Sequence, residues 1–265
     1  MPLYTTEAII LRTYKLGEVD RIVVFLTRDR GKKRGVAPGA RRMRSRFGGA
    51  LEPLTRVALT YFEKENRELV SLNYAEPLGS AMWTGRGDAF GYRGYFAELL
   101  DECAPDGDAD ETLYRLASAM VDALAGSGAM EPLARYFEYW LLRLQGVYPS
   151  VLACGACGTL LGRAAPAAAV LVPGERTYRC GACAGSGSAR VVTLSGEAVS
   201  FLQASGTMAP GRLDSVPVSA RALGELEAVH RSLIAMHLEK DLRSARVLRE
   251  LRCSITSPTR ASEPS

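Results

Sequence analysis

The chain has 265 residues and a formal net charge of +4; 47% of its residues are hydrophobic and 23% are charged. These values are ordinary for a soluble globular protein, and no run approaches the ~20 consecutive apolar residues of a membrane span, which excludes a membrane-spanning chain. The length suffices for one large domain or, more in keeping with domain sizes, two to three small ones.

The first part of the chain, from Thr5 to about Glu76, has the pattern of short β-strands. Runs rich in β-branched and aromatic residues are separated by clusters of Gly and charge, and some runs are apolar on both faces. About five strands in this length are too few for a sandwich but fit a small closed barrel, which leaves no exposed edge. The predicted strands are 8–11, 19–27, 34–37, 54–62 and 69–74.

Positive charge is concentrated between the second and the fourth predicted strand, in the third strand and a long loop over the barrel face. Between Arg28 and Arg46 lie nine Lys and Arg residues against one acid, Asp29, whereas the rest of the chain has 24 basic and 28 acidic residues. A concentrated basic stretch on an otherwise mildly acidic protein indicates a polyanion partner, and nucleic acid is the leading candidate. The alternative is a flexible basic loop without a specific partner.

The period changes after Pro77 from strands to helices. Apolar residues recur at i, i+3, i+4 and i+7 over 92–103, 113–124 and 133–144. Three such stripes predict a helical bundle, with the aromatic residues in its core. In the third helix, Pro132 suits the first helical position and Gly146 suits a left-handed residue after the C-terminus.

Two dithiol units follow, Cys154-Gly-Ala-Cys157 and Cys180-Gly-Ala-Cys183. Paired C-x-x-C units predict one tetrahedral zinc site, and four thiolates leave no open coordination position, so the zinc would be structural. The Gly after each first Cys is expected to permit a tight turn. Structural disulfides and a thioredoxin-like redox pair are the alternatives. Cys103 is expected to be a small buried hydrophobe, and Cys253 has no assigned role.

Helical pattern resumes after the cysteines. Ser195 is predicted to cap a helix to about residue 205, and a single long helix is predicted from Ser219 to Arg252. Residues 254–265 have the composition of a disordered tail. The cysteine module, with a possible short strand within 164–173, is thus inserted between helices and would fasten two ends of the bundle.

The sequence has no recognisable catalytic centre. Its two histidines, His230 and His237, lie on one face of the last predicted helix, two turns apart, and are expected to be ordinary surface or partly buried residues. Nucleotide-binding glycine motifs, a Ser/His/Asp order and a magnesium-binding acidic cluster are missing from the sequence. We therefore predict that the protein is not an enzyme.

Two segments resemble a known family. Residues 7–32, EAIILRTYKLGEVDRIVVFLTRDRGK, resemble the opening of the bacterial recombination mediator family RecO, and residues 237–251, HLEKDLRSARVLREL, are similar to its end. The order of barrel, helices, cysteines and helices matches the family over nearly the whole chain.

The resemblance implies an α+β architecture with an N-terminal OB-fold barrel. The implied divisions are 1–79 for the DNA-binding barrel, 80–148 and 190–252 for the α-helical domain, 149–189 for the zinc module and 253–265 for the tail. It also implies binding of single- and double-stranded DNA, annealing of complementary strands, and action with RecR and with single-stranded DNA-binding protein (SSB) in loading RecA. The expected location is the cytoplasm, in association with the nucleoid. Cysteines in metal-binding spacing fit a reducing compartment, and the N-terminal residues do not have the pattern of a signal peptide.

An OB-fold binds single strands through a cationic groove with aromatic platforms. We assign the DNA contacts to the cationic cluster and the aromatic residue after it, with Tyr14 or Tyr61 as further stacking candidates. The predicted contact residues are Lys32, Lys33, Arg34, Arg41, Arg42, Arg44, Arg46 and Phe47. The acidic C-terminal tail of SSB is expected on basic bundle residues such as Arg243 or Arg246. The alternative function is a zinc-containing protein-interaction scaffold; a zinc-dependent hydrolase or redox enzyme is a third, weaker one.

Overall fold

A computed structural model describes residues 2–64, 67–79, 87–126, 129–161, 169–172, 175–184 and 192–256 of the chain. Within these ranges it contains a closed five-stranded barrel, a second sheet of three strands and seven α-helices. The predicted succession of strands, helices, cysteine module and helices is confirmed.

The barrel has the strand order β1-β2-β3-β5-β4. All neighbours pair antiparallel except β3 and β5, which are parallel and are joined only through residues 34–36 and 69–71. This is an OB-like barrel, as predicted. Its strands are β1 (Leu3–Leu16), β2 (Asp20–Thr27), β3 (Lys32–Ala37), β4 (Arg56–Phe62) and β5 (Leu69–Pro77).

The strands are apolar on both faces because the barrel packs in two directions. Ile10 and Phe25 point into the barrel core, whereas Ile9, Leu11 and Leu26 belong to the core shared with the helices. Successive residues of a strand face opposite sides, so a strand buried on both sides must be apolar throughout. Leu11 faces the helices as well, because it lies two residues from Ile9 on the same strand.

Three helices follow the barrel: α1 (Gly87–Cys103), α2 (Glu111–Gly126) and α3 (Met130–Leu144). Their buried faces include the predicted aromatic stripes, with the rings of Phe96 and Phe137 4.7 Å apart between centroids. Gly146 has a φ of 67°, which confirms it as the left-handed residue. Pro132 lies two residues inside α3 and not at its first position, because Met130 begins the helix.

The cysteine module contains a second small sheet of strand order β7-β6-β8. Its elements are β6 (Ala169–Val172), β7 (Thr177–Cys180), the short helix α4 (Gly181–Ala184) and β8 (Val192–Leu194). The predicted strand within 164–173 is therefore present as β6, and residues 164–168 and 173 lie outside the described residues. The side chains of Leu171 and Tyr178 are completely buried against the helical core.

The C-terminal part begins with α5 (Gly196–Ser205), whose N-cap is Ser195, as predicted. The prediction of one helix over 219–252 is wrong: the structure has α6 (Ala220–Leu238), capped by Ser219, and α7 (Arg243–Thr256), separated at Glu239, which has a φ of 54°.

A carboxylate from the first helix explains this break. Glu98 of α1 accepts hydrogen bonds from the backbone N–H groups of Arg243 and Ser244 and from the Ser244 hydroxyl. The first amide groups of a helix have no partner within it, so a carboxylate there satisfies them and favours a new helix start. Glu98 is distant in sequence, and the apolar period alone therefore could not reveal the break.

Residues 253–256 belong to α7 and not to a tail as predicted; the remaining tail residues, 257–265, lie outside the described residues. None of the helices in the described ranges is both long and apolar enough to cross a membrane.

Candidate metal centre and nucleic-acid surface

The sulfur atoms of the four cysteines lie within 4.8 Å of one another. The Sγ atoms of Cys157 and Cys180 are 3.7 Å apart. A tetrahedron with Zn–S bonds of about 2.3 Å has edges of about 3.8 Å, so the spacing and the donor type both fit zinc. Within the described part of the chain, this is the single group of three or more His, Cys, Asp or Glu residues arranged to hold a metal ion.

Two different local structures present the cysteines. The first pair lies in a turn closed by the bridge between Ala153 and Leu160, and the backbone N–H of Cys154 donates to the carbonyl oxygen of Thr159 at 2.8 Å. The second pair spans the end of β7 and the short helix α4. The two units bring the four sulfurs to one point, and an ion held by all four would have no coordination position left for a substrate.

The predicted reason for Gly155 needs correction. Its backbone is not left-handed; instead, a Cβ atom there would lie 2.1 Å from Oγ1 of Thr177 on β7. Glycine thus permits the close approach of the two C-x-x-C units, residues 154–157 and 180–183, which are called the knuckles below. The Gly155 N–H donates to the Tyr178 carbonyl at 2.8 Å. The left-handed turn residue is Gly158, with a φ of 73°.

The surroundings of the first pair of cysteines lower the pKa of both thiols, Cys154 and Cys157, and so favour thiolates there. The backbone N–H of Cys180, with further N–H donors of the first knuckle, lowers the pKa of Cys154 to about 6. A hydrogen bond shared with Cys157 and a second with Cys180 raise the pKa of Cys183 to about 12, because a neighbouring thiolate holds its proton. A metal ion bound by all four sulfurs must displace that last proton.

On the barrel, three arginines occupy the turn that follows β3. Arg41, Arg42 and Arg44 are exposed. The guanidinium of Arg41 donates to the carbonyl oxygens of Gly17 and Glu18 at 3.1 and 2.8 Å, which ties the turn to the β1–β2 hairpin. The side chains of Arg42 and Arg44 make no hydrogen bond or ion pair within the described residues.

Two further arginines extend this surface. Arg34 on β3 is exposed, and Arg46 lies with its guanidinium carbon 5.1 Å from the centre of the Phe47 ring. Tyr14 is 46% exposed and stands on the outer barrel face that Arg34 shares. It pairs with Ile22 of β2, and Ile22 pairs with Val36, which lies two residues from Arg34 and so on the same face of β3. The exposed group of Arg34, Arg41, Arg42, Arg44 and Arg46 is called the arginine surface below.

Lys32 and Lys33 were predicted to contact DNA but are engaged within the protein. Lys32 is 7% exposed; its ammonium lies 3.7 Å from the Asp101 carboxylate and 3.4 Å from that of Asp106, at the joint between the barrel and α1. Lys33 pairs with Glu63 at 2.7 Å. Lys32 is therefore not a candidate for DNA contact, since nearby carboxylates already compensate its charge. Lys33 is expected to contribute little to DNA binding, because it is paired with Glu63.

Phe47 and Tyr61 were predicted as possible stacking residues, and both lie inside the barrel core. Phe47 is 2% exposed and Tyr61 is completely buried, so neither ring has a face for a base. Burial raises the pKa of Tyr61 to about 12. The aromatic residue that follows a basic loop is here a core anchor for that loop.

A pocket of about 280 Å³ lies between α6 and α7. Apolar side chains such as Ile234 and Leu248 line it, together with Tyr95 and with the acids Glu138 and Glu227. Its exposed lining has five cationic residues and one acid, Asp241; the cationic residues are Arg231, Lys240, Arg243, Arg246 and Arg249.

His230 was expected to be a surface or partly buried residue, and it is completely buried. Its Nδ1 lies 2.8 Å from the Glu138 carboxylate and its Nε2 lies 3.0 Å from the Tyr148 hydroxyl. Burial lowers the pKa of His230; burial alone would raise that of Glu138, but Arg135 and the hydrogen bonds from His230 and Tyr95 outweigh it and lower it. The pair is therefore a neutral imidazole and an ionised carboxylate.

Lowering the pH should decrease the free energy of unfolding because of His230. A base whose pKa is lowered by folding binds its proton mainly in the unfolded state, so stability falls as the pH drops below about 6.5. Between pH 7.5 and pH 5.5, His230 should cost at most about 1.4 kcal/mol of unfolding free energy, the limit for an imidazole that stays neutral in the folded state. Thermal unfolding at both pH values gives the change in unfolding free energy with pH. The contribution of His230 is the difference in this change between the wild type and His230→Gln.

The matched control is His237→Gln, which alters the other histidine of the same helix, partly exposed there, and leaves the buried contacts of His230 in place. Glu138 and Arg135 of α3 and Tyr148 are the polar groups that face His230, and none of their charges is expected to change in this pH range. An equal change in unfolding free energy in wild type and His230→Gln would contradict the burial of a neutral imidazole.

Taken together, the fold and the site define a class of protein: an OB-like barrel joined to a helical domain that carries a cluster of four cysteines arranged to hold a metal ion. Each half of the chain matches a family model, "Recombination protein O N terminal" over residues 1–81 and "Recombination protein O C terminal" over residues 85–246. The chain belongs to the recombination protein O (RecO) family, as residues 7–32 and 237–251 predicted.

Relatives named DNA repair protein RecO align over most of the chain. The protein of Geobacter sulfurreducens is 35% identical over 252 residues, covering 92% of this chain and 97% of the relative. That of Bifidobacterium adolescentis is 34% identical over 262 residues, covering 94% and 100%. For Koribacter versatilis the alignment is 39% identical but shorter, with 59% of this chain and 64% of the relative.

Proposed function

We propose that this protein is a recombination mediator that binds single- and double-stranded DNA without sequence specificity and anneals complementary strands. We further propose that it acts with RecR to help load RecA on SSB-coated single strands during recombinational repair. The observation that carries the proposal is the arginine surface: five exposed guanidinium groups on an OB-like barrel, in a chain of the RecO family.

The arginine surface suits phosphate contacts. Guanidinium groups bind phosphate oxygens, and such contacts position a strand without reading its sequence. Arg42 and Arg44 make no hydrogen bond or ion pair with described residues and are available to a strand, while Arg41 fixes the turn on which they stand. Annealing needs this indifference to sequence: the protein screens the repulsion between two backbones and leaves the choice of partner to the bases. Tyr14, on the adjoining face, is the candidate platform for a base.

The metal module is proposed to bind one zinc ion through Cys154, Cys157, Cys180 and Cys183. When bound, zinc would supply a fixed tetrahedral junction between the two knuckles and no reactive position. The module's role is then structural, and the protein has no catalytic residue. The location that follows from a DNA-bound role is the cytoplasm, on the nucleoid.

The acidic tail of SSB is proposed to bind the pocket between α6 and α7. Arg243 and Arg246, the residues expected from the sequence, both line that pocket, and Leu248 and Ile234 offer apolar contact beside them. The same pocket is the observation that favours the second candidate function, a protein-interaction scaffold that does not anneal DNA.

Annealing separates the two functions. Two complementary labelled oligonucleotides should pair faster with the protein than without it, at low salt and without ATP, and the acceleration should shrink at moderate salt because phosphate contacts release counterions. Unchanged annealing rates at low salt, with zinc bound and the fold intact by circular dichroism, would reject the mediator and favour the scaffold.

A further inference from the structure

A continuous line of hydrogen-bonded side chains joins the metal module to the pocket between α6 and α7. The Tyr178 hydroxyl of β7 donates to the Tyr148 hydroxyl at 3.2 Å, which lies 3.0 Å from Nε2 of His230. His230 then reaches Glu138 at 2.8 Å, and Glu138 pairs with Arg135 at 3.0 Å. Tyr178, His230 and Glu138 are at most 1% exposed.

The protons of this line have one consistent arrangement. Glu138 is ionised and accepts from Tyr95, Arg135 and His230, so the imidazole proton is on Nδ1. Nε2 is then an acceptor, and the Tyr148 hydroxyl must donate to it while accepting from Tyr178. Each member fixes the orientation of the next, and a displaced hydroxyl would leave a buried polar atom without its partner, which costs about 1–3 kcal/mol.

The pocket end of the line is a buried cation. Arg135 is 4% exposed and lines the pocket with Glu138 and Tyr95. Its Nη2 is held by Glu138, whereas its Nη1 donates no hydrogen bond within the described residues and lies 4.0 Å from Glu227. The direction in which Arg135 presents Nη1 to a ligand thus depends on Glu138 and, through it, on His230 and Tyr148.

The module end is tied to the metal ligands through the backbone. Tyr178 precedes Cys180 by two residues on β7, and its carbonyl oxygen accepts from the N–H of Gly155, the residue after Cys154. A metal ion bound by both pairs of cysteines would fix Cys154 and Cys180, which flank this backbone contact. Loss of the ion would free both cysteines and, with them, the position of the Tyr178 hydroxyl.

We propose that this line couples the metal module to the pocket, so that the metal-loaded module orients Arg135 to receive a carboxylate of an acidic peptide. The inference rests on the proposed function, which places zinc in the module and the SSB tail in the pocket. Coupling of this kind is reciprocal: zinc raises the affinity of the pocket for the peptide, and the peptide raises the affinity of the module for zinc by the same factor.

The test measures the Kd of a fluorescein-labelled peptide with the sequence of the acidic SSB tail, on the whole protein with zinc and after chelation. Removing zinc should weaken binding about 5- to 10-fold in the wild type, the range of a modest allosteric coupling. Tyr148→Phe keeps the ring but cuts the line, so zinc should then change the Kd less than about 2-fold. Tyr136→Phe removes a hydroxyl of α3 that bonds Met208 outside the line and should behave as the wild type.

A second measurement starts from the zinc-loaded protein. In an equilibrium titration with a chromogenic chelator, saturating peptide should raise the chelator concentration that removes half of the zinc in the wild type and in Tyr136→Phe but not in Tyr148→Phe. Peptide binding that ignores zinc, or a zinc effect that survives Tyr148→Phe, would overturn the coupling and leave the proposed SSB site standing. Failure of the zinc-loaded wild type to bind the peptide would overturn both.

Discussion

Replacing Cys154 with Ser should remove about one zinc ion per chain and lower the free energy of unfolding by more than about 4 kcal/mol, as loss of a structural metal commonly does. The sheet of the module is small, with strands of four, four and three residues, so a bound metal would supply much of the cross-linking that a larger sheet obtains from its own hydrogen bonds. Cys154 is the most buried of the four ligands, so a serine there can neither bind zinc well nor reach water. Zinc content by elemental analysis and thermal unfolding measure the two effects.

Cys103→Ser is the matched control, because it makes the same chemical change in α1, outside the cluster. Burial raises the pKa of the Cys103 thiol to about 12, in keeping with the small hydrophobe predicted there. This variant should keep its zinc and lose much less stability. A zinc-free Cys154→Ser protein that unfolds at the wild-type temperature would show that the metal contributes nothing to the fold.

Reversing Arg41, Arg42 and Arg44 to Glu together should weaken DNA binding at low salt by at least about 100-fold, because three phosphate contacts become repulsions. The magnitude of the log–log salt slope should fall by about 2, at about 0.7 per phosphate for single strands. Fluorescence anisotropy with a labelled oligonucleotide at several salt concentrations measures both. The fold should persist, since all three side chains are exposed.

Arg41 also anchors its turn to the β1–β2 hairpin, so a double variant, Arg42→Glu with Arg44→Glu, keeps that anchor and should still lose most of the affinity. The control is Arg115→Glu with Arg212→Glu, which makes the same change of charge at two exposed arginines outside the barrel. Arg115 lies on α2, and Arg212 lies on the 3-10 helix Pro210–Ser215. Normal binding by the double variant would place the DNA site away from the arginine surface.

The barrel could be predicted from sequence because its strands are short, β-rich and apolar on both faces, and the structure shows why: Ile10 faces the barrel core and Ile9 the helices. The metal cluster was predictable for a different reason. Four identical ligands in two C-x-x-C units carry their geometry in their spacing. The caps at Ser195 and Ser219 were also visible, because capping is a local property of the chain.

Features that depend on contacts through space were missed. The basic run did not reveal that Lys32 faces Asp101 of α1, or that Phe47 turns inward, because charge and aromaticity alone do not fix direction. Nor could the apolar period show that Glu98 begins a new helix at Arg243. A possible signal for the buried His230 was its place on the apolar face of α6, four residues after Leu226.

The cap supplied by Glu98 has a consequence for the pocket beside it. Glu98 and Arg243 are separated by 145 residues in sequence, and a 14-residue helix alone in water is only marginally stable. Docking of α7 onto α1 and persistence of α7 as a helix are therefore one equilibrium. Since α7 forms one wall of the pocket, a partner that bridges both walls must shift that equilibrium toward the docked state, and detachment of this single helix would release the partner without unfolding the barrel or the metal module.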